Sequence, residues 1–404
     1  MTLENGKPLA ESRIEVNIAC EMMKWNAEEG RRLYGRILQS NMPGMRQHVF
    51  KEPVGIVAAF TPWNMPGVTP ARKISGALAA GCSIVIKPSE ETPGTCIAMV
   101  RALLEGGLPE GVINIVFGVP HEVSDHLIRS RRIRKVSFTG STAVGKKLSA
   151  AAGGELIRFT MELGGHSPFI VANDFDPAQA AQMAAIGKFR NGGQVCVSPT
   201  RFLVQRGVFA PFVDELTRRA AALKVGDGTD PSVQMGPMLN RRRVAAISEL
   251  VADAVQRGAQ VTTGGKPSER PLGHFFEPTV ICGVPLDARL MNEEPFGPIA
   301  IVNPFDSLDE AVNEANRLDY GLAAYIFSSS QATCLELSQR LQTGMLAINN
   351  LMVGVPDSPW SGVKDSGVGA EGGIEGVDGY TVTKYVAEVG AGRAPMQWSS
   401  SQNR

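Results

Sequence analysis

From residue 54 onward, short apolar runs alternate with amphipathic stretches. Residues 54–60 are almost continuously apolar, which predicts a strand buried on both faces. The spacing over 71–80 predicts a helix that stops at Gly81, where a left-handed residue fits. A second strand is expected at 83–86. Thr92 then caps a helix with Pro93 at its first position, and Gly106-Gly107 ends it. Strands at 112–117, 135–138 and 157–161 alternate with helices at 122–129 and 141–151. Strand, helix and strand at these lengths imply parallel pairing through crossover helices. The fold class is therefore α/β, with a doubly wound parallel sheet of the nucleotide-binding kind.

A second α/β unit begins near Gly165. Asp176-Pro177 opens an Ala-rich helix reaching about residue 190, followed by a strand at 201–204 and a helix at 209–223. The alternation continues through 244–258, 311–318 and 333–342. Two segments, 47–51 and 381–388, read as strands outside both sheets; paired, they would make an arm that crosses to a neighbouring subunit. The expected division is 1–34 with 54–164 for the cofactor-binding domain, 165–365 for the catalytic domain, and 35–53 with 375–390 for oligomerisation strands. A polar tail at 391–404 is expected to be disordered.

Composition narrows the function classes. A chain of 404 residues divides into two or three domains. Lys plus Arg and Asp plus Glu number 40 each, so no global field draws in nucleic acid or an anionic membrane. Apolar stretches such as 76–86 are too short to span a bilayer, and no signal pattern opens the chain, so a cytoplasmic protein is expected. Six cysteines stand apart, with no CxxC, and the five histidines include no HExxH. No metal site is expected.

Candidate chemistry rests on Cys196, in Asn191-Gly192-Gly193-Gln194-Val195-Cys196, and Glu162, in Met161-Glu162-Leu163-Gly164-Gly165. A thiolate attacks carbonyl carbon, and a carboxylate can activate the water that later releases the product. Alone, such a Cys is more often a small buried apolar residue and such a Glu a solvated one. Gly367-Val-Gly369-Ala-Glu-Gly372 matches GxGxxG, but it follows no strand and precedes no crossover helix; it reads as a loop near the active site.

Further motifs occur in order. They are Pro62-Trp63-Asn64-Met65-Pro66, Lys87-Pro88-Ser89-Glu90, Phe138-Thr139-Gly140-Ser141-Thr142, Glu162-Leu163-Gly164-Gly165, Gly193-Gln194-Val195-Cys196 and Glu293-Glu294-Pro295-Phe296-Gly297-Pro298. This series resembles the NAD(P)-dependent aldehyde dehydrogenase superfamily over about residues 10 to 388, and its nearest branch looks like the semialdehyde dehydrogenases. Family members usually start well upstream, which implies that early helices beside the cofactor domain are missing here. Ser361 stands where the family loop usually has Gly.

The resemblance implies roles residue by residue. Cys196 attacks the aldehyde, with a lowered thiol pKa required. The Asn64 amide and the Cys196 N–H hold the oxyanion. Glu162 activates water for thioester hydrolysis, which favours a free acid over an acyl-coenzyme A product. Lys73 is either part of a proton relay or a surface lysine. For the cofactor, NAD with NADP possible, Trp63, Gly140 and Ser141 meet the pyrophosphate, with Leu163 beside them. Lys87 and Glu90 meet the adenosine ribose, Glu294 holds the nicotinamide ribose, and Phe296 flanks the ring. Arg72 and Arg190 correspond to arginines that grip a distal substrate carboxylate, so a small carboxylated aldehyde such as succinate semialdehyde is expected. Against this, the loop 351–357 lacks the serine expected near Gly354, and Met65 replaces an aromatic. The alternatives are a broad aliphatic or aromatic aldehyde dehydrogenase, a Cys hydrolase, and an inactive truncated cofactor-binding homologue. A homodimer or homotetramer is expected.

Overall fold

Three sheets organise the chain in the computed structural model, which describes residues 1–268, 270 and 272–390. The first has the order Gly367–Val368, Arg158–Glu162, Ile133–Thr139, Ile56–Phe60, Ile84–Lys87, Ile113–Ile115. All neighbours are parallel except the edge strand Gly367–Val368. Val57, Ala58 and Ala59 are fully buried, because helices cover both faces. Sequence order runs outward in both directions from Ile56–Phe60. The switch point therefore falls between Ile56–Phe60 and Ile133–Thr139, where α/β sheets open a crevice beyond the strand ends. The loops carrying Trp63-Asn64 and Gly140-Ser141 leave from those two ends.

The second sheet has seven strands in the order Gln260–Thr263, Thr279–Cys282, Ile299–Phe305, Arg201–Gln205, Pro168–Val171, Ala323–Phe327, Met345–Ile348. Only Gln260–Thr263 is antiparallel. The third sheet is an arm of Arg36–Leu38, Met45–Pro53 and Thr381–Val389, antiparallel throughout, with register from Thr381 opposite Pro53 to Val389 opposite Met45. Residues 375–378, grouped with the strand on sequence, belong instead to the helix Gly373–Asp378. The 391–404 tail lies outside the described residues. Among the described residues, no helix is long and apolar enough to cross a membrane.

The first thirty residues, given no elements on sequence, form the helices Thr2–Asn5 and Leu9–Gly30. The longer one lies on Val68–Ala79, with Ala19 and Met22 against Val68 and Ala71. Its buried face also holds Ser12, Glu15, Asn26 and Glu29. A polar inward face erases the apolar periodicity on which helix recognition depends.

Candidate active site

A cavity of about 1020 Å³ begins at the switch point and is lined from both large sheets. Its wall includes Trp63, Asn64, Arg72, Gly140, Ser141, Leu163, Arg190, Cys196, Glu294 and Phe296. Ten of the fourteen site residues expected from sequence thus share one cavity. Glu162, Lys73, Lys87 and Glu90 stand off its wall.

The loop before Cys196 is unusual backbone. Asn191, Gly192 and Gly193 have φ of 49°, 60° and 72°, a run that the Asn-Gly-Gly sequence accommodates. Any Cβ at Gly193 would collide with the Gly297 carbonyl, so a larger residue there would displace the thiol loop. Among the described residues nothing accepts from the Cys196 N–H, which leaves that donor free. The Asn64 side chain gives one N–H to the Gln194 carbonyl at 3.0 Å and keeps its second. Phe296, at φ 42°, is held edge-on to Trp63 with ring centres 5.7 Å apart.

Burial pushes the Cys196 thiol up to about 12, with Glu294 and Glu162 adding to the rise and Arg72 opposing it. The lowered pKa expected from the resemblance is therefore not supplied by the protein alone, because this pocket desolvates the sulfur and sets two carboxylates near it. In cofactor-free protein, iodoacetamide labelling of Cys196 should climb about tenfold per pH unit from about pH 7 to 10 without a plateau. A plateau below about pH 8 would contradict this charge environment.

Glu162 ends the strand Arg158–Glu162 just behind the wall formed by Leu163 and Gly164. It is 2% exposed, and among the described residues neither carboxylate oxygen has a hydrogen-bond partner. Desolvation first, and Glu371 second, raise its pKa well above the ordinary carboxylate range, with Lys73 and Arg72 pulling the other way. The Glu162 carboxylate is one of the charges that act on the Cys196 thiol.

Lys73 is completely buried, which removes the surface-lysine reading. It is ion-paired with Glu371 and donates to Ser137 Oγ at 3.0 Å. Glu371 lies in the GxGxxG segment. That segment lies near the site, as expected, but off the cavity wall: Gly367–Val368 extends the first sheet beside Glu162, and Trp360 and Glu371 pair through their backbones. Lys73→Met leaves Glu371 and Glu162 buried together without their ammonium. It should lower the unfolding free energy by about 3–5 kcal/mol, measured by chemical denaturation.

The arginines differ. Arg72 is buried, its guanidinium 3.8 Å over the Trp360 ring and its Nε without a partner among the described residues. Arg190 is exposed at the cavity rim. Lys87 and Glu90 are ion-paired with each other rather than presented together to the cavity. A spacing of three residues off a strand end lets these opposite charges meet when nothing lies between them. The sequence also missed Arg243, which caps the Pro295 and Phe296 carbonyls, and Lys188. Lys188 is fully buried, has no hydrogen-bond partner among the described residues and is pushed down to about 7 by burial against the pull of Glu294. Glu294 is itself raised to about 7 by burial and accepts the Gly165 N–H at 3.3 Å. Lys188 stands in the last turn of the helix Pro177–Phe189 and Glu294 in the loop before Ile299–Phe305, so their meeting is visible only in three dimensions.

Comparison with known proteins agrees with this geometry. The family model described as "Aldehyde dehydrogenase family" matches residues 1–386. A 4-(hydroxymethyl)benzenesulfonate dehydrogenase of Comamonas testosteroni is 49% identical, over 96% of this chain and 80% of that protein. The NADP(+) succinate-semialdehyde dehydrogenase of Escherichia coli K12 is 39% identical over the same shares. The crystal structure of succinate-semialdehyde dehydrogenase from Burkholderia pseudomallei superposes with a TM-score of 0.93 at 42% identity, covering 96% of this chain and 80% of that one. The chain, with its thiol, amide and glycine loops on one cavity wall, belongs to the aldehyde dehydrogenase family.

Proposed function

We propose that this protein oxidises a carboxylated aldehyde of the semialdehyde class to the corresponding acid, using NAD or NADP. The observation that carries the reading is one wall holding Cys196, the free N–H groups of Asn64 and Cys196, and the guanidinium of Arg72, with Arg190 at the rim. Several relatives named as semialdehyde dehydrogenases support the substrate class.

The cavity fits the cofactor at its switch-point end. Among the described residues the buried Thr139 hydroxyl on the cavity wall has no partner, and the helix Thr142–Gly154 opens there with no side-chain cap. Backbone N–H groups of such a helix start favour phosphate oxygens. Trp63, Gly140, Ser141 and Leu163 would hold the pyrophosphate end, and Glu294 and Phe296 the nicotinamide end. Lys87 and Glu90 would turn to the adenosine ribose when their own pairing opens. When bound, NAD(P)⁺ supplies the hydride acceptor that converts a thiohemiacetal into a thioester.

Cys196 adds to the carbonyl carbon as thiolate. The Asn64 amide and the Cys196 N–H then receive the developing oxyanion; one such donor is worth about 10²–10³ in kcat. Glu162, ionised, takes a proton from the water that attacks the thioester, and the acid leaves as the thiolate re-forms. Lys73 and Glu371 pass that proton away from Glu162 through the buried pair behind it. Arg72 and Arg190 bind the distal carboxylate of the substrate, by charge-assisted bonds that suit a guanidinium.

The test is a substrate panel. Arg190→Ala should lower kcat/KM for succinate semialdehyde by about 10–100-fold and leave that for an uncharged aldehyde of equal length within about two-fold. An unchanged ratio would remove the carboxylate clamp and leave a broad aldehyde dehydrogenase. The panel includes a sulfonated benzaldehyde, because Trp360 under Arg72 also suits an aromatic anion and one relative is named for such a substrate.

We assign the three-stranded arm to contact with a second copy, in a homodimer or homotetramer; Ile37, Phe50 and Tyr385 are exposed on it. Six free thiols suit a reducing cytoplasm.

A further inference from the structure

The helix Leu9–Gly30 approaches the site with charged residues at intervals of four: Lys7 in the turn before it, then Glu11 and Glu15. Each is directed at backbone of a loop that carries a candidate oxyanion donor. Lys7 Nζ donates to the Asn64 carbonyl at 2.7 Å and to Glu15 Oε2 at 2.5 Å. Glu15 Oε1 accepts the N–H of Gly67 at 2.7 Å and of Val68 at 3.2 Å, fixing the start of the helix Val68–Ala79. Glu11 Oε2 accepts the Asn191 N–H at 2.9 Å, in the left-handed run that leads to Cys196. Asn191 Nδ2 closes the circuit by donating to the same Asn64 carbonyl at 3.0 Å. Asn5 adds a bond to the Trp63 carbonyl at 3.2 Å.

The two loops come from different sheets. Asn64 follows a strand of the first, whereas Cys196 precedes a strand of the second. Nothing covalent fixes their separation. The helix ties both to one rigid face, and the Lys7–Glu15 pair does so fully desolvated, with side chains 1% and 2% exposed. A water-exposed pair would yield to solvent competition; a buried one holds its geometry.

We propose that Lys7, Glu11 and Glu15 are positioning residues that set the distance between the Asn64 amide and the Cys196 N–H, so that both donors meet one oxyanion. This rests on the reading of Asn64 as an oxyanion donor. The three side chains touch no substrate; they act through Asn64 and Asn191. A misplacement of about 1 Å at such a site costs up to about 10²-fold in rate.

The experiment is a double-mutant cycle on the single-turnover rate of NADH formation. Lys7→Met with Glu15→Gln removes both buried charges together, so neither is left unpaired. This pair of changes should slow the reaction about 10–100-fold, with NAD affinity and aldehyde KM within about three-fold of wild type. In an Asn64→Ala background the same changes should slow it by no more than about two-fold, because the donor they align is already gone. Glu11→Ala supplies a variant that leaves the buried pair intact: it should lower the rate, and Glu11→Gln, which keeps an acceptor oxygen for Asn191, should recover most of the loss. An equal loss with and without Asn64 would overturn the proposal, since the helix would then be only a structural brace. So would an undiminished rate in both the Lys7/Glu15 and the Glu11→Ala variants. If Asn64→Ala alone leaves the rate intact, the oxyanion reading itself fails, and that arm is measured separately.

Discussion

Cys196→Ala is expected to abolish aldehyde oxidation, with kcat reduced by about 10⁴-fold or more, while the protein stays folded and still binds cofactor. The size follows from the chemistry: without a covalent adduct there is no tetrahedral carbon from which hydride can leave. The structure adds that no second thiol can substitute. Of the six cysteines, only Cys196 lies on the cavity wall, and Cys82 and Cys96 are buried within the core of the first sheet. The side chain is small and the loop is fixed by backbone bonds, so alanine leaves the loop intact. NADH absorbance with aldehyde and NAD reads the loss, and cofactor titration reads the retained fold. Residual activity above about a hundredth of wild type would mean that the sulfur is not the attacking group.

Glu162→Gln is expected to separate the two halves of the reaction. Thiol addition and the first NADH should persist as a burst of one equivalent per site, whereas steady turnover should fall by about 10²–10⁴-fold. The burial of Glu162 shapes the pH dependence. Its pKa is raised well above the ordinary carboxylate range by desolvation and by Glu371. The base acts when ionised, so steady-state turnover should increase with pH through a limb lying above that of an exposed carboxylate. In Glu162→Gln this limb should disappear. The same shift has a consequence for stability. A group whose pKa is higher in the folded state than in the unfolded chain favours folding fully below the unfolded value. That contribution is lost as pH rises through the folded one. Glu11 and Glu294, each raised to about 7, act in the same direction.

The nucleotide-binding half was legible because its strands are covered on both faces. Ile56–Phe60 and Ile84–Lys87 therefore read as apolar runs, and the glycines after the helices mark their ends. Short strands such as Pro168–Val171 and Met345–Ile348 carry too little pattern to be recognised alone. The helix Leu9–Gly30 was invisible for the opposite reason: it buries Glu15 and Asn26 where a periodicity argument demands apolar residues. At the site, Cys196, Asn64 and Phe296 announce themselves through rare local sequence, an Asn-Gly-Gly turn or a Pro-Trp-Asn loop. Glu371 did not, because its partner Lys73 is 298 positions away. Its segment also mimics a phosphate-binding fingerprint. Spacing of charges at 7, 11 and 15 was present to be read, yet its target loops lie 57 and 180 positions downstream. The direction of the thiol's pKa was illegible in principle. Desolvation is set by what the fold packs around the sulfur, not by its sequence neighbours.

The central claim is that the aldehyde's carbonyl carbon becomes bonded to Cys196 and is released by a water that Glu162 activates. Mass analysis of Glu162→Gln protein, quenched in acid after mixing with aldehyde and NAD, tests it most directly. The expected result is one acyl group per chain, found on the peptide that contains Cys196 and absent when NAD is omitted. NADH formed at full yield with an unmodified Cys196 peptide, or with the acyl group on another residue, would contradict the account.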